Sequence, residues 1–157
     1  MINEWGVYKT WLFILKNADF ILDLQKQCFK NDFLEYKDYE TSPYCETLED
    51  LQHDITTNQH FTIFSEENIV GAFEIKEKHN SQHLYKIFIS QNEQNNGIGK
   101  LTMKMIFEKF TNKNKWTVYT PHKNYRNHHF YESLGFEKYG EAILSDKLTL
   151  FKYAKYN

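Results

Sequence analysis

Cysteine is scarce in this chain: Cys28 and Cys45 are the only two in 157 residues, and they stand in no CxxC or metal-type spacing. A disulfide framework is therefore not expected, and two free thiols suit a reducing compartment. Long apolar runs are missing as well, since no stretch approaches the roughly 18 apolar residues of a membrane span. Asn3, Glu4, Lys9 and Thr10 interrupt the first 16 residues, which lack a basic start followed by an apolar core, so no secretory leader is expected. Charge of one sign is also lacking. The formal net charge is −2 with both signs interspersed, which leaves out the field that holds a long phosphate backbone. Nucleic acid and membrane are not expected as partners. The expected protein is cytoplasmic, and either a monomer or a homodimer.

Aromatics are plentiful, at 17% of residues, within a hydrophobic share of 41%. A chain of this length buries about two-thirds of the surface that its unfolded form exposes, which one core can accomplish. No repeat, linker or low-complexity tract divides it, so residues 1–157 are expected to form a single domain.

The periodicities give an order of elements. Residues 8–15 are β-branched, aromatic or aliphatic and read as a strand. Asn17 caps a helix whose Phe20, Ile21, Leu24 and Cys28 share a face, and residues 31–43 read as irregular or briefly helical. Thr47 and Asp50 have capping-box spacing ahead of Leu48, Leu51 and Ile55. Residues 61–65 and 69–76 flank Glu66, Glu67 and Asn68 as a hairpin, and 84–90 forms another strand. Ile98, Leu101, Met105, Ile106 and Phe110 keep a helical period after Gly97. A strand at 116–120, a helix at 125–134 closed by Gly135, and a strand at 148–153 complete the chain. The expected fold is α/β of α+β type: a mixed, mostly antiparallel sheet flanked by helices in the order β-α-α-β-β-β-α-β-α-β.

Gln94, Asn95, Asn96, Gly97, Ile98, Gly99 and Lys100 lie between the strand at 84–90 and the following helix. Glycines there let backbone approach an anion, and a helix start presents unpaired N–H groups, so the segment reads as a pyrophosphate cradle. A dinucleotide fingerprint would need glycine at Thr102. A Walker loop would need Ser or Thr where Leu101 follows Lys100. Gln94, Gly97 and Gly99 instead resemble the phosphate loop of the GCN5-related N-acetyltransferase (GNAT) family, Gln/Arg-x-x-Gly-x-Gly/Ala in this strand-to-helix position. The resemblance implies the acyl-CoA N-acyltransferase fold, acetyl-CoA as co-substrate, and coenzyme A pyrophosphate held by the N–H groups of residues 95–100.

A second family signature is similar to Asn124, Tyr131, Gly135 and Phe136, an Asn seven residues before a Tyr that is followed by Gly-Phe. By that resemblance Asn124 bonds the pantetheine arm and Tyr131 protonates the leaving thiolate. A phenol with a pKa near 10 suits a thiolate that needs a hydrogen bond or a late proton. Asn127 departs from the family, which usually has Ala there. The resemblance also assigns the backbones of Phe88 and Ile89 to the cofactor. The Ile89 N–H would polarise the thioester carbonyl, and divergence of this strand from 116–120 would open a slot for pantetheine.

An ammonium must lose a proton before it attacks, so a base is required. Many family members place a Glu on this strand where Tyr85 stands. His83, on one face with Tyr85, Ile87 and Ile89 by two-residue alternation, is one candidate base, and Glu74 on the preceding strand is the other. Asp32, Glu35, Asp38 and Glu40 alternate with Phe33, Tyr36 and Tyr39, which suits a small-molecule amine acceptor of cationic character, such as a polyamine, an aminoglycoside or a lysine-like amine. His79 with His83, and His128 with His129, complete no ligand set, so no metal is expected. Lys100, Lys113, Lys115, Lys123 and Arg126 are expected to form a basic rim for the cofactor's 3′-phosphate. The function these features imply is transfer of an acetyl group from acetyl-CoA to a primary amine by direct attack. The alternatives are a non-catalytic acyl-CoA sensor and a protein N-terminal or lysine acetyltransferase.

Overall fold

The computed structural model describes residues 6–8 and 11–157, with side chains described from Ile14 onward. Asn3, Glu4, Lys9 and Thr10 lie outside the described residues. The strand expected over 8–15 is corrected: β1 is Gly6–Tyr8, and Trp11–Lys16 forms the helix α1. A short, uniformly apolar run carries no periodicity to separate strand from helix. Packing decides it, because Ile14 is fully buried with Ala18 and Ile21 of the next helix.

That helix, α2 (Ala18–Tyr36), runs through much of the segment expected to be irregular. Gln25, Phe29, Asp32 and Tyr36 recur every three or four residues and give its second half a continuous inner face. Lys37, at φ 53°, ends it in the left-handed conformation. Thr47 caps α3 (Leu48–Thr57), its hydroxyl accepting the Asp50 N–H at 3.1 Å. The remaining elements are β2 (Gln59–Ser65), β3 (Asn68–Glu77), β4 (Gln82–Ile89), α4 (Ile98–Lys109), β5 (Lys115–Pro121), α5 (Tyr125–Ser133), β6 (Glu137–Ile143) and β7 (Thr149–Tyr156). Strand β6 was not expected from sequence. It is a sheet edge, mostly exposed, and Glu137, Lys138, Gly140 and Glu141 dilute any apolar alternation.

Among the described residues seven strands pair in the order β1-β2-β3-β4-β5-β7-β6, and of these pairs only β4 and β5 run parallel. Antiparallel neighbours need only turns, whereas the parallel pair needs a crossover, which α4 supplies. One face of the sheet buries Phe61, Phe73, Leu84 and Trp116 with Ile98, Met103 and Ile106 of α4 and Tyr131 of α5. The other carries Ala72 and Phe88 against α1, α2 and α3. Both faces are covered around β4, so an opening beside that strand leads into the interior.

Candidate active site

Such an opening exists. β5 pairs with β4 only where Gln82, His83 and Leu84 meet Trp116, Thr117 and Val118, and beyond those residues the two strands part. A bulge helps to turn β4 away: Glu74 pairs with Lys86 but Ile75 with Leu84, so Tyr85 has no opposite residue on β3. The gap is a cavity of about 370 Å³ bordered by β4, β5, α5 and the second half of α2.

Backbone direction follows from pairing. Ser90 donates its N–H to Val70 O at 2.7 Å, and the register continues through Phe88 opposite Ala72 and Lys86 opposite Glu74. Alternation then turns the N–H groups of Ile87 and Ile89 away from β3 and toward the opening. Ile87 borders the cavity, whereas Phe88 and Ile89 do not. Phe88 packs on Phe29 beneath α2. Ile87 was missed from sequence, although the alternation that points Ile89 toward β5 points it the same way.

Beyond β4 the chain makes a short 3-10 turn, Gln91–Glu93, and then the glycine loop. Asn95 (φ 67°) and Gly97 (φ 82°) are both left-handed, which curls successive N–H groups toward one side. Leu101 N–H makes the first helical bond, to Gly97 O, so the amides of Ile98, Gly99 and Lys100 precede the bonded ladder. No acidic residue lies in this first turn, and a Cβ at Gly97 would have no atom within 4 Å, so the cradle is open. A Cβ at Gly99 would stand 3.3 Å from the Phe130 ring, so that glycine allows α4 to approach α5. The Gln94 side chain fastens the loop: its Nε2 donates to Ile89 O at 2.8 Å, and its Oε1 accepts from Arg126 at 2.5 Å. Arg126 also donates to Asn95 Oδ1 at 3.4 Å.

Arg126 thus lies at the loop, whereas the Lys123 ammonium pairs with Glu35 of α2 at 3.2 Å, and Lys113 and Lys115 do not join Arg126 in one basic rim. They stand at the start of β5, whose seven residues span about 20 Å, and Lys113 pairs there with Glu77.

Tyr131 projects from α5 into both the core and the cavity wall, edge-on to Phe130 and Phe136. Burial pushes its phenol further above the ordinary value, so it remains a proton donor at neutral pH. Asn124 caps α5, its Oδ1 accepting the Asn127 N–H at 3.1 Å, and its Nδ2 donates to Asp32 of α2 at 3.3 Å. Asn127 lines the cavity and donates to Thr120 Oγ1 at 3.3 Å. The longer side chain is therefore accommodated by a bond across to β5.

The two candidate bases part company here. His83 borders the cavity, with Nδ1 2.8 Å from Thr117 Oγ1 and its ring against Tyr119. Burial, reinforced by Lys78 and Lys76, lowers its pKa to about 4, so the imidazole is neutral at pH 7. It does not share a face with Ile87 and Ile89, as simple alternation implies. The bulge at Tyr85 breaks the period, placing His83 opposite Lys76 on one face and Leu84 opposite Ile75 on the other. Glu74 lies outside the cavity lining and is fully buried. It accepts from Asn58 Nδ2 at 2.8 Å and pairs at 3.4 Å with Lys86, whose ammonium also meets Glu46 at 2.8 Å. Glu74 is committed to this ion network.

The acidic and aromatic segment divides. Asp32, Tyr36 and Asp38 border the cavity. Glu35 turns to Lys123 at 3.2 Å, and Phe33 stacks on Tyr44. Among the described residues no group of three or more His, Cys, Asp or Glu could hold a metal ion, and no helix is long and apolar enough to cross a membrane.

Comparison with known proteins adds to this geometry. The family described as "Acetyltransferase (GNAT) domain" matches residues 29–157. No curated protein matches the chain. Among solved structures, an acetyltransferase from Thermus thermophilus is similar at TM-score 0.76 and 16% identity, covering 99% of each chain. A spermidine N-acetyltransferase from Vibrio cholerae in complex with CoA and spermine is similar at TM-score 0.72 and 18% identity, covering 98% of this chain and 95% of that one. The PaiA N-acetyltransferase from Thermoplasma acidophilum in complex with coenzyme A has TM-score 0.69 and 15% identity, covering 94% of this chain and 97% of that one. At these identities the likenesses establish a shared fold.

Proposed function

Since the chain belongs to the GNAT acetyltransferase family, we propose that it transfers an acetyl group from acetyl-CoA to a primary amine by direct attack within a ternary complex. The observation that carries this reading is the divergence of β4 from β5, which opens a slot between an anion cradle and a buried tyrosine. The cradle fits a diphosphate: left-handed backbone at Asn95 and Gly97, helix-start amides at Ile98, Gly99 and Lys100, and no carboxylate in the first turn. Acetyl-CoA supplies an activated acyl group whose thiolate is a good leaving group.

The chain's own residues supply the rest. The Ile87 and Ile89 N–H groups offer fixed donors toward the opening, where negative charge on a carbonyl oxygen is stabilised without reorganisation. Tyr131, kept protonated by its burial, donates to the departing sulfur. When His83 donates its Nδ1 proton to Thr117, Nε2 is left as an acceptor for the proton that the amine must lose. Asp32 and the ring of Tyr36 on the α2 wall suit an acceptor of cationic character. Attack geometry held by the cavity accounts for much of the acceleration, and no covalent enzyme intermediate is needed.

Thiol release from acetyl-CoA, measured with and without an amine panel, tests the reaction. Tyr131→Phe should lower kcat about 100-fold while coenzyme A binding survives. Amine-dependent release unchanged by that substitution removes Tyr131 from the mechanism. Absence of release with every amine favours a sensor instead.

A further inference from the structure

Apart from its tyrosines, the cavity is bordered by four acidic or basic side chains: Asp32, Asp38, His83 and Lys86. Three are accounted for by their neighbours. Asp38 organises its own loop, accepting from the Thr41 hydroxyl and from the backbone N–H groups of Glu40 and Thr41. Lys86 is neutralised by Glu46 and Glu74. His83 is uncharged and bonded to Thr117. Asp32 differs. Among the described residues it enters no ion pair, and Lys123 pairs with Glu35 instead. Its carboxylate has one hydrogen-bond partner in the described structure, the neutral Asn124 amide at 3.3 Å. A carboxylate that is partly withdrawn from water without a counter-cation is costly to the fold and strongly attracts a cation.

Resting on the transfer reading above, we infer that Asp32 receives a second cationic group of the acceptor, so that the acceptor class is a diamine or polyamine rather than a monoamine. The group at Asp32 must be distinct from the nitrogen that reacts. A carboxylate at the reacting nitrogen would hold it as an ammonium and suppress attack, whereas the same pairing at a distal ammonium only anchors. Phe29 and Tyr36, one helical turn to either side of Asp32 on α2, border the same cavity and give the chain between the two nitrogens an aromatic wall. Burial raises the Asp32 pKa, the Asn124 bond opposes it and the neighbouring Glu35 carboxylate adds to it, as expected for a carboxylate without a counter-cation. The bond to Asn124 also joins acceptor recognition on α2 to the cap of the tyrosine helix, making Asp32 a positioning residue as well as a specificity determinant.

The test compares 1,4-diaminobutane with 4-aminobutan-1-ol, which keeps the reacting amine and replaces the distal one by a hydroxyl. Wild type should favour the diamine in kcat/KM by roughly 10- to 100-fold, through KM. Asp32→Asn keeps an oxygen to accept from Asn124 but removes the charge, so the preference should fall to about unity while coenzyme A affinity is retained. Asp32→Glu should restore part of the preference. Equal use of both acceptors by wild type, or an Asp32→Asn variant that loses both equally, overturns the inference and leaves the transfer reading standing. Failure of wild type to release thiol with any amine overturns the transfer reading itself, and this inference with it.

Discussion

Tyr131 and His83 stand on the same cavity but are tuned in opposite senses by one cause. Burial disfavours the charged form of each, raising the phenol and lowering the imidazole to about 4. The outcome at neutral pH is a phenol that keeps its proton and an uncharged imidazole that keeps one ring proton and leaves its other nitrogen unprotonated. His83→Gln should therefore lower kcat about 100-fold with little change in KM for acetyl-CoA. A kcat within twofold of wild type would show that the proton leaves by another route. The position of Tyr131 on a helix beside the cavity was legible in the sequence because the spacing of Asn124, Tyr131, Gly135 and Phe136 carried it. Which of His83 and Glu74 borders the cavity was not legible. Both are polar residues on adjacent strands, and what separates them is the Tyr85 bulge and the Lys86 ammonium that holds Glu74.

At the scale of elements, most of the cofactor side could be read ahead of the structure. The strand, glycine loop and helix over 82–109 depend on local chemistry: a glycine at positive φ, a helix start without a cap side chain, and an apolar stripe. The wall that α2 gives the cavity was less legible because it depends on contacts distant in sequence. The second half of α2 intersperses Lys30, Asp32 and Glu35 among its apolar residues, and only the cavity it covers shows why Phe29, Asp32 and Tyr36 recur on one face. Strand β6 was hidden by its exposure, and α1 by an apolar run too short to show a period. The loop itself is held by side chains whose roles no motif announces, with Gln94 bonded to Ile89 O and gripped by Arg126 from α5. That bridge ties the cradle to the tyrosine helix.

For the molecule as a whole, two buried histidines couple stability to pH. Burial lowers His60 to about 3 and His83 to about 4, from an ordinary 6.5. As pH falls below 6.5 the unfolded chain takes up protons that the folded one refuses, so stability declines from pH 6.5 toward pH 4. Each histidine accounts for about 2 kcal/mol between pH 7 and pH 5. Asp54 acts oppositely. Burial and its bond to Glu46 raise it to about 6, so its contribution is present below its ordinary 3.8 and lost as pH rises through 6, which offsets part of the decline. Denaturant unfolding should show lower stability at pH 5 than at pH 7, and replacing His60 by Leu should shrink the difference. Equal stability at the two pH values would show that the histidines are protonated in the fold. The central claim concerns the amides at the start of α4, and calorimetric titration of coenzyme A tests it most directly. The account predicts saturable heat from the wild-type protein and an affinity at least about tenfold weaker for Gly97→Val, which strains the positive φ that curls the loop. No heat from wild type at millimolar coenzyme A, or equal binding by the variant, would contradict it.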